Sequence, residues 1–395
     1  MLAFYAWTDL LLINHINVKN AFYPDDKADL FVLMLPRVTA NLVETIRNSL
    51  VFTNVYEIQL HQWFEKMSVF QKICSLFRRN YYYKFYCKQL EQSVGHRLYK
   101  SFFIGAFWAE SLHLIRYFLS VNSDLEINFV EEGTVSYQEV SGLLKCMPRK
   151  GIREIFLRYF HFYPWNRLAR RQSKALFVYQ PSLIVNKKWL DIIQIPSITQ
   201  DNPIPQKALY YPIMNELLES LANDIDIKSY VNAQIFYCVS PPIGQYNVDY
   251  EENKSIFNKI INEFPSVQIL IRPHPDCIAN ELEYFQKFDD KIYVETSTLP
   301  MEVVFHNIDI ESKILIARNS SILIIPKLMF EKEPYIIMTH RLYSGYEKYD
   351  DSLSETYLKQ IYSLYGNKDR VFAPKNEEEL IVVIQTILHN KQQLR

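Results

Sequence analysis

A chain of 395 residues is too long for one ordinary domain, and an apolar content of 49% is enough to fill two cores. The formal net charge of -1 argues against a general nucleic-acid binder. Aromatics reach 15%, with 28 Tyr and 25 Phe, which suits carbohydrate-handling or membrane-edge surfaces as well as core. The near-neutral total hides an asymmetry. Lys66 to Lys100 holds eight Lys/Arg against one Glu, and Lys145 to Lys174 holds nine against one, so the rest of the chain is acidic.

Met1 to Trp7 predicts a buried first strand, with Thr8 or Asp9 capping a helix that begins at Leu10. Leu30 to Leu35 predicts a second strand, Val38 to Leu50 a helix and Val51 to Leu60 a third strand. The basic, aromatic region from Trp63 to Phe118 predicts two or three helices. Leu125 to Val130 returns to strand, Gly151 to Arg171 reads as a basic helix broken at Pro164, and Ala175 to Tyr179 as a further strand. A polar, Pro-bearing stretch, Gln194 to Pro212, reads as a connector, followed by a helix from Met214 to Asn223.

A second alternation follows. Strands are predicted at Ile235 to Val239, Val267 to Ile271, Lys291 to Val294, Lys313 to Ala317 and Tyr335 to Met338. Helices are predicted at Tyr250 to Phe264, Asn280 to Phe288, near Met301, at Ser321 to Phe330 and at Asn376 to Asn390. Strands alternating with helices in two halves predict an α/β protein of two doubly wound, Rossmann-like domains, 1–212 and 213–395, facing a central cleft.

Cys74, Cys87, Cys146, Cys238 and Cys277 form no CxxC pair and read as reduced thiols. No signal-peptide pattern is apparent, and no stretch approaches the ~20 apolar residues that span a bilayer. The expected location is cytoplasmic, with the basic helices offering a peripheral contact to an anionic inner membrane face. Only eight glycines are present, and none forms GxGxxG or a P-loop. A bound phosphate must then rest on a helix N-terminus with side-chain help.

Three short segments follow apolar runs, where open α/β sheets bind their ligands. Glu131-Glu132-Gly133 ends one strand, and a glutamate there can take a proton from an acceptor hydroxyl. Side chains alternate along a strand, so only one of the two faces a ligand. Arg272-Pro273-His274-Pro275 places an imidazole on stiff backbone, suited to an acid that meets a leaving phosphate, with Arg272 adding positive charge. Asn319-Ser320-Ser321 lies where a strand hands over to a helix and offers hydroxyls and backbone N–H groups to one phosphate. Glu302, opening a short helix, can accept from a ribose diol. Each of these segments has an ordinary explanation too, as a turn or a cap. Asp224-Ile225-Asp226 matches a metal-binding DxD but follows a helix near the connector, and no cluster has metal-ligand spacing; no metal and no cofactor are expected.

In this order, Glu131-Glu132-Gly133, His274-Pro275 and Ser320-Ser321 resemble the motifs of the bacterial CMP-sialyltransferases of lipooligosaccharide and capsule. The resemblance is to glycosyltransferase family 52, with the capsular polysialyltransferases as its neighbours, and the opening Met1 to Trp7 also resembles the family's first strand and its polar turn. The resemblance spans about residues 1 to 330. It implies a GT-B fold, CMP-sialic acid as donor, a galactose-terminated glycan as acceptor, inversion at the anomeric carbon and no metal. Carried over by position, Glu131 and His274 are base and acid, Ser320 and Ser321 phosphate ligands, and Glu302 a nucleoside contact. Asn319 and Arg272 complete the expected donor site. In family 52 an aspartate after a Ser-Pro has been favoured as base; here Ser240-Pro241 is followed by Pro242, and no acid comes until Asp249.

Two other readings compete. One keeps the fold and takes a UDP-hexose donor. The other makes the chain a membrane-surface adaptor built on its basic helices, with Arg153, Phe156, Trp165 and Arg167 on an anionic bilayer. The sequence leaves open the acceptor linkage, polymerisation and oligomeric state, a homodimer included.

Overall fold

Leu2–Ala6 is buried at every position, which in a strand means that both faces are covered by other elements. The computed structural model describes residues 1–35, 38–58, 81–95, 97–105, 109–132, 172–179, 227–239, 246–274, 283–288, 292–295, 300–343 and 352–393. Gly133, the expected helices at 151–171 and 214–223, the connector, Asp224 and Asp226, Ser240 to Pro242 and Pro275 lie outside these residues. The chain divides into two units, Met1–Leu217 and Leu218–Arg395.

In the first unit β1 (Leu2–Ala6), β2 (Ala28–Leu33), β3 (Asn54–Ile58), β4 (Ser101–Ile104), β5 (Glu126–Val130) and β6 (Ser173–Phe177) form a parallel sheet in the order β3-β2-β1-β4-β5-β6. The helices α1 (Asp9–Phe22), α2 (Ala40–Asn48), α3 (Tyr81–Val94) and α4 (Ala109–Val121) connect its strands. Thr8 caps α1 through Leu11 N–H at 3.3 Å, and the Asp9 carboxylate accepts from Thr39 N–H at 2.8 Å and the Thr39 hydroxyl at 2.6 Å. Aromatic rings fill the core, with Phe4 stacked on Phe103 at 4.3 Å. Asp29, fully buried, accepts from Asn54 Nδ2, Arg97 Nη1 and the Tyr99 hydroxyl, each at 2.7 Å, so its charge has the partners that burial requires.

The second unit repeats the plan. Its strands are β7 (Ile235–Cys238), β8 (Ile269–Arg272), β9 (Ile292–Val294), β10 (Ile314–Ala317), β11 (Tyr335–Met338) and β12 (Val371–Phe372). They form a parallel sheet in the order β12-β11-β10-β7-β8-β9, the order of the first sheet read from the opposite edge. Around it lie α5 (Ile227–Asn232), α6 (Tyr246–Glu263), α7 (Met301–Asn307), α8 (Ile325–Phe330), α9 (Ser352–Leu364) and α10 (Glu377–Gln393). In each sheet the order reverses at one point, between β1 and β4 and between β7 and β10, and that is where such sheets open a crevice at their carboxyl ends.

Two expectations need correction. The region from Trp63 to Phe118 is not all helix: β4 runs through it and lies centrally, between β1 and β5. Four residues are too few to show a period of two among so many aromatics. Nor is Ser321 to Phe330 one helix. A 3₁₀ turn, Ser321–Leu323, precedes α8, because Pro326 has no N–H to continue a ladder and fits only a first turn. The helix α9 and the strand β12 are additions that the sequence pattern did not suggest. No helix among the described residues is long and apolar enough to cross a membrane.

Candidate functional site

The acidic pair lies just past β5. Glu131 is 3% exposed. Its carboxylate accepts from Tyr179 N–H at 2.8 Å, and its carbonyl accepts from Asn14 Nδ2 at 2.8 Å. The Tyr179 hydroxyl donates to Asn14 Oδ1 at 2.7 Å and accepts from Asn17 Nδ2 at 3.3 Å. Glu131 is thus held between α1 and the residues after β6. Glu132 is half-exposed and lies over Gly105, the residue after β4: a Cβ there would come within 2.7 Å of Glu132 Oε2. Glycine is what leaves this carboxylate room beside the first sheet's switch point.

In the second unit Arg272 is the last residue of β8, and His274 follows two residues on, half-exposed. Arg272 Nη1 lies 3.8 Å from the buried Glu295 carboxylate, which follows β9. Glu302, 8% exposed in the first turn of α7, is also within the field of Arg272. Burial raises the Glu302 pKa, while a backbone N–H and the Arg272 charge oppose that rise. Cys238 pairs with Arg272 across β7 and β8; burial pushes its thiol up to about 12, partly offset by Arg272.

Asn319, Ser320 and Ser321 follow β10 at the second sheet's switch point, all half-exposed. The Ser320 hydroxyl accepts from Ile322 N–H at 3.4 Å. The loop is braced by α9: the Tyr357 hydroxyl donates to the Ser320 carbonyl at 2.9 Å, and Asn319 Nδ2 donates to the Ser354 hydroxyl at 3.4 Å. A three-residue 3₁₀ turn has little macrodipole, so an anion here would depend on side chains and local N–H groups rather than on a long helix, as the sequence had suggested.

Further groups lie on this edge, and apart from Arg318 sequence reasoning passed them over. Arg318 is buried and stacks on Tyr343 at 4.2 Å. The Tyr343 hydroxyl donates to Asn253 Oδ1 at 2.5 Å. After β11, His340 Nε2 lies 3.1 Å from Glu355 Oε1, and Arg341 donates to both oxygens of Glu355, at 2.7 and 2.9 Å. Burial lowers the His340 pKa; Glu355 opposes this, and Arg341 and Arg318 add to it. The rule that picked out His274, a polar residue directly after an apolar run, would have found Thr339-His340-Arg341 as well. No group of His, Cys, Asp and Glu that could hold a metal ion occurs among the described residues.

No family model matches the chain, and no curated protein matches it in sequence. Solved structures do match in fold. The UDP-GlcNAc 2-epimerase of Methanocaldococcus jannaschii, in complex with UDP-GlcNAc and UDP, aligns with a TM-score of 0.54 at 13% identity over 98% of this chain and 92% of that one. A putative UDP-N-acetylglucosamine 2-epimerase from Listeria monocytogenes aligns with a TM-score of 0.53 at 7% identity over 99% and 88%. The Neisseria meningitidis UDP-GlcNAc 2-epimerase bound to UDP-GlcNAc aligns with a TM-score of 0.51 at 9% identity over 98% and 100%. At such identities the likeness is one of architecture. The fold is GT-B: two Rossmann-like, doubly wound α/β domains.

Proposed function

We infer that the chain is a glycosyltransferase-type enzyme that moves sialic acid from CMP-sialic acid to a terminal galactoside of a surface glycan. One observation carries this reading. His274 and the Asn319-Ser320-Ser321 loop follow β8 and β10, the two strands on either side of β7 in one sheet. Two strand spacings separate them by roughly 10 Å, the scale of a nucleoside monophosphate. Nothing in the shared fold chooses the donor; the resemblance of the motif residues is what favours CMP-sialic acid.

The proposed reaction is a single displacement. The acceptor hydroxyl oxygen attacks the anomeric carbon, the bond from that carbon to the phosphate oxygen breaks, and CMP leaves with the electron pair. His274 protonates the departing phosphate, and Ser320 and Ser321 hydrogen-bond it. Glu302 receives the nucleoside diol, with Arg272 supplying positive field beside it. The hydroxyl proton goes to the acidic pair. Glu131, favoured by the resemblance, must share its carboxylate with Tyr179 N–H, whereas Glu132 is the more accessible member. A phosphodiester donor carries one phosphate charge, so side chains suffice to neutralise it and the reaction needs no divalent metal.

The second reading, a UDP-sugar donor, is favoured by the architecture shared with enzymes that bind UDP-GlcNAc. Incubation with CMP-sialic acid, UDP-GlcNAc and UDP-hexoses, with a galactoside panel and excess EDTA, separates the two. Release of CMP with a product heavier by one sialic acid supports sialyl transfer. Turnover of a UDP-sugar alone, or activity that vanishes with EDTA, overturns it.

A further inference from the structure

The opposite edge of the second sheet, where its strands begin, holds an open cavity of about 690 Å³, within the range of small-molecule sites. It is formed wholly inside the second unit. Its floor comes from the first residue of β11 and the residues just before β7, β8 and β10, and its walls from the ends of α5 and α10.

The lining is polar. Asn232, Gln234 and Gln268 present exposed amides that make no hydrogen bond to another described residue. Each amide carries both donors and an acceptor, which is what a sugar hydroxyl, itself donor and acceptor, pairs with. On the other side Tyr335 stands between two cations, with Arg370 at 4.8 Å and Lys391 at 5.0 Å from its ring. Arg370 spends Nη1 on the Glu311 and Glu333 carbonyls, so its Nε and Nη2 have no described partner. Lys313, Arg370 and Lys391 face Asp309 and Glu311 around the cavity, a net charge of one positive unit. That balance attracts a single carboxylate without repelling neutral hydroxyls.

We propose that this cavity is a second saccharide site, which binds a carboxylate-bearing sugar with its acid against Arg370 and Lys391 and its hydroxyls against Gln234 and Gln268. The site stands independently of the donor chemistry at the carboxyl edge, because none of its residues belongs to that edge.

The test titrates the full chain with 3′-sialyllactose and with lactose, its neutral counterpart, in the presence of saturating CMP. The expected result is saturable binding of the acidic sugar, about ten-fold or more tighter than lactose. Arg370→Gln and Gln268→Trp should each weaken it by about ten-fold or more, whereas Ser320→Ala, on the far edge, should leave it unchanged. Gln268 is exposed, so its variant should stay folded even if loss of the Arg370 carbonyl contacts disturbs the fold. Equal affinity for the two sugars, or binding insensitive to both cavity variants, overturns the proposal. Binding lost with Ser320→Ala but kept in Gln268→Trp also overturns it, by placing the sugar at the donor edge. Binding that depends on Gln268 and Arg370 in a protein that turns over no CMP-sugar would uphold this site and reject the proposed reaction.

Discussion

Acidification from pH 7 to pH 4 should remove about 3 kcal/mol of stability from the first unit through His15 alone. This imidazole is buried in α1, donates from Nε2 to the Tyr5 carbonyl at 2.9 Å and meets the edge of Phe4 at 5.2 Å. Burial lowers its pKa to about 4, against the Tyr5 carbonyl, which favours the charged form. In the unfolded chain the value returns to about 6.5. Above pH 6.5 both states are neutral and the full stability is present. Between 6.5 and 4 only the unfolded state binds the proton, so stability falls by about 1.4 kcal/mol per pH unit and levels off below 4. All five tryptophans, Trp7, Trp63, Trp108, Trp165 and Trp189, lie in the first unit, so tryptophan fluorescence reports its urea unfolding separately from the second. The comparison is wild type against His15→Leu, whose carboxylates titrate alike. The variant should be weaker at pH 7 by roughly 1 kcal/mol, for the lost hydrogen bond. Its stability should then fall by roughly 2–3 kcal/mol less on the way to pH 4.5. Parallel stability–pH curves for the two proteins would show that His15 does not stay neutral in the fold.

His274→Ala should keep its fold, since the side chain is half-exposed, and lose roughly 10²–10⁴-fold in transfer; near wild-type turnover would remove the general-acid role. Glu131→Gln and Glu132→Gln, compared for turnover and for thermal midpoint, assign the base. If Glu132 takes the proton, its variant is inactive but fully stable, while Glu131→Gln is destabilised through the Tyr179 contact. The reverse pattern of activity restores Glu131 as base. Ser320→Ala with Ser321→Ala should weaken CMP binding by about 10-fold or more without lowering stability by more than about 1–2 kcal/mol, measured by calorimetry; unchanged CMP affinity would move the phosphate elsewhere. For Glu333, burial opposes the charge, but bonds from Lys327 and from Gly366 and Asn367 N–H outweigh it and bring the pKa down to about 2. Wild type should therefore lose stability relative to Glu333→Gln as pH falls from about 4.5 towards 2, and a variant with the same acid limb would refute the bonding.

Ten of the twelve described strands were readable because a parallel sheet covered on both faces needs continuous apolar runs, and Tyr335–Met338 has the same limits in the structure as in the pattern. The strand-end positions of Glu131, His274 and Ser320 were readable for the same reason: a polar group placed just after such a run falls at a carboxyl edge whatever the rest of the chain does. Local chemistry also sufficed for Thr8 as a cap. Beyond these, nonlocal contacts took over. Strand order, and with it the two switch points, depends on pairing between segments far apart, and the short central β4 gains its place from β1 and β5 rather than from its own four residues. Alternation said that only one of Glu131 and Glu132 could face outward, but which one depends on Tyr179, 48 residues away, and Asn14, 117 residues away. The brace on the serine loop comes from α9, which carries no motif of its own. Residue identity settles what a segment can form and which chemistry it carries; orientation and partnership come only from the packing of distant segments, because a side chain's direction is chosen by what it meets.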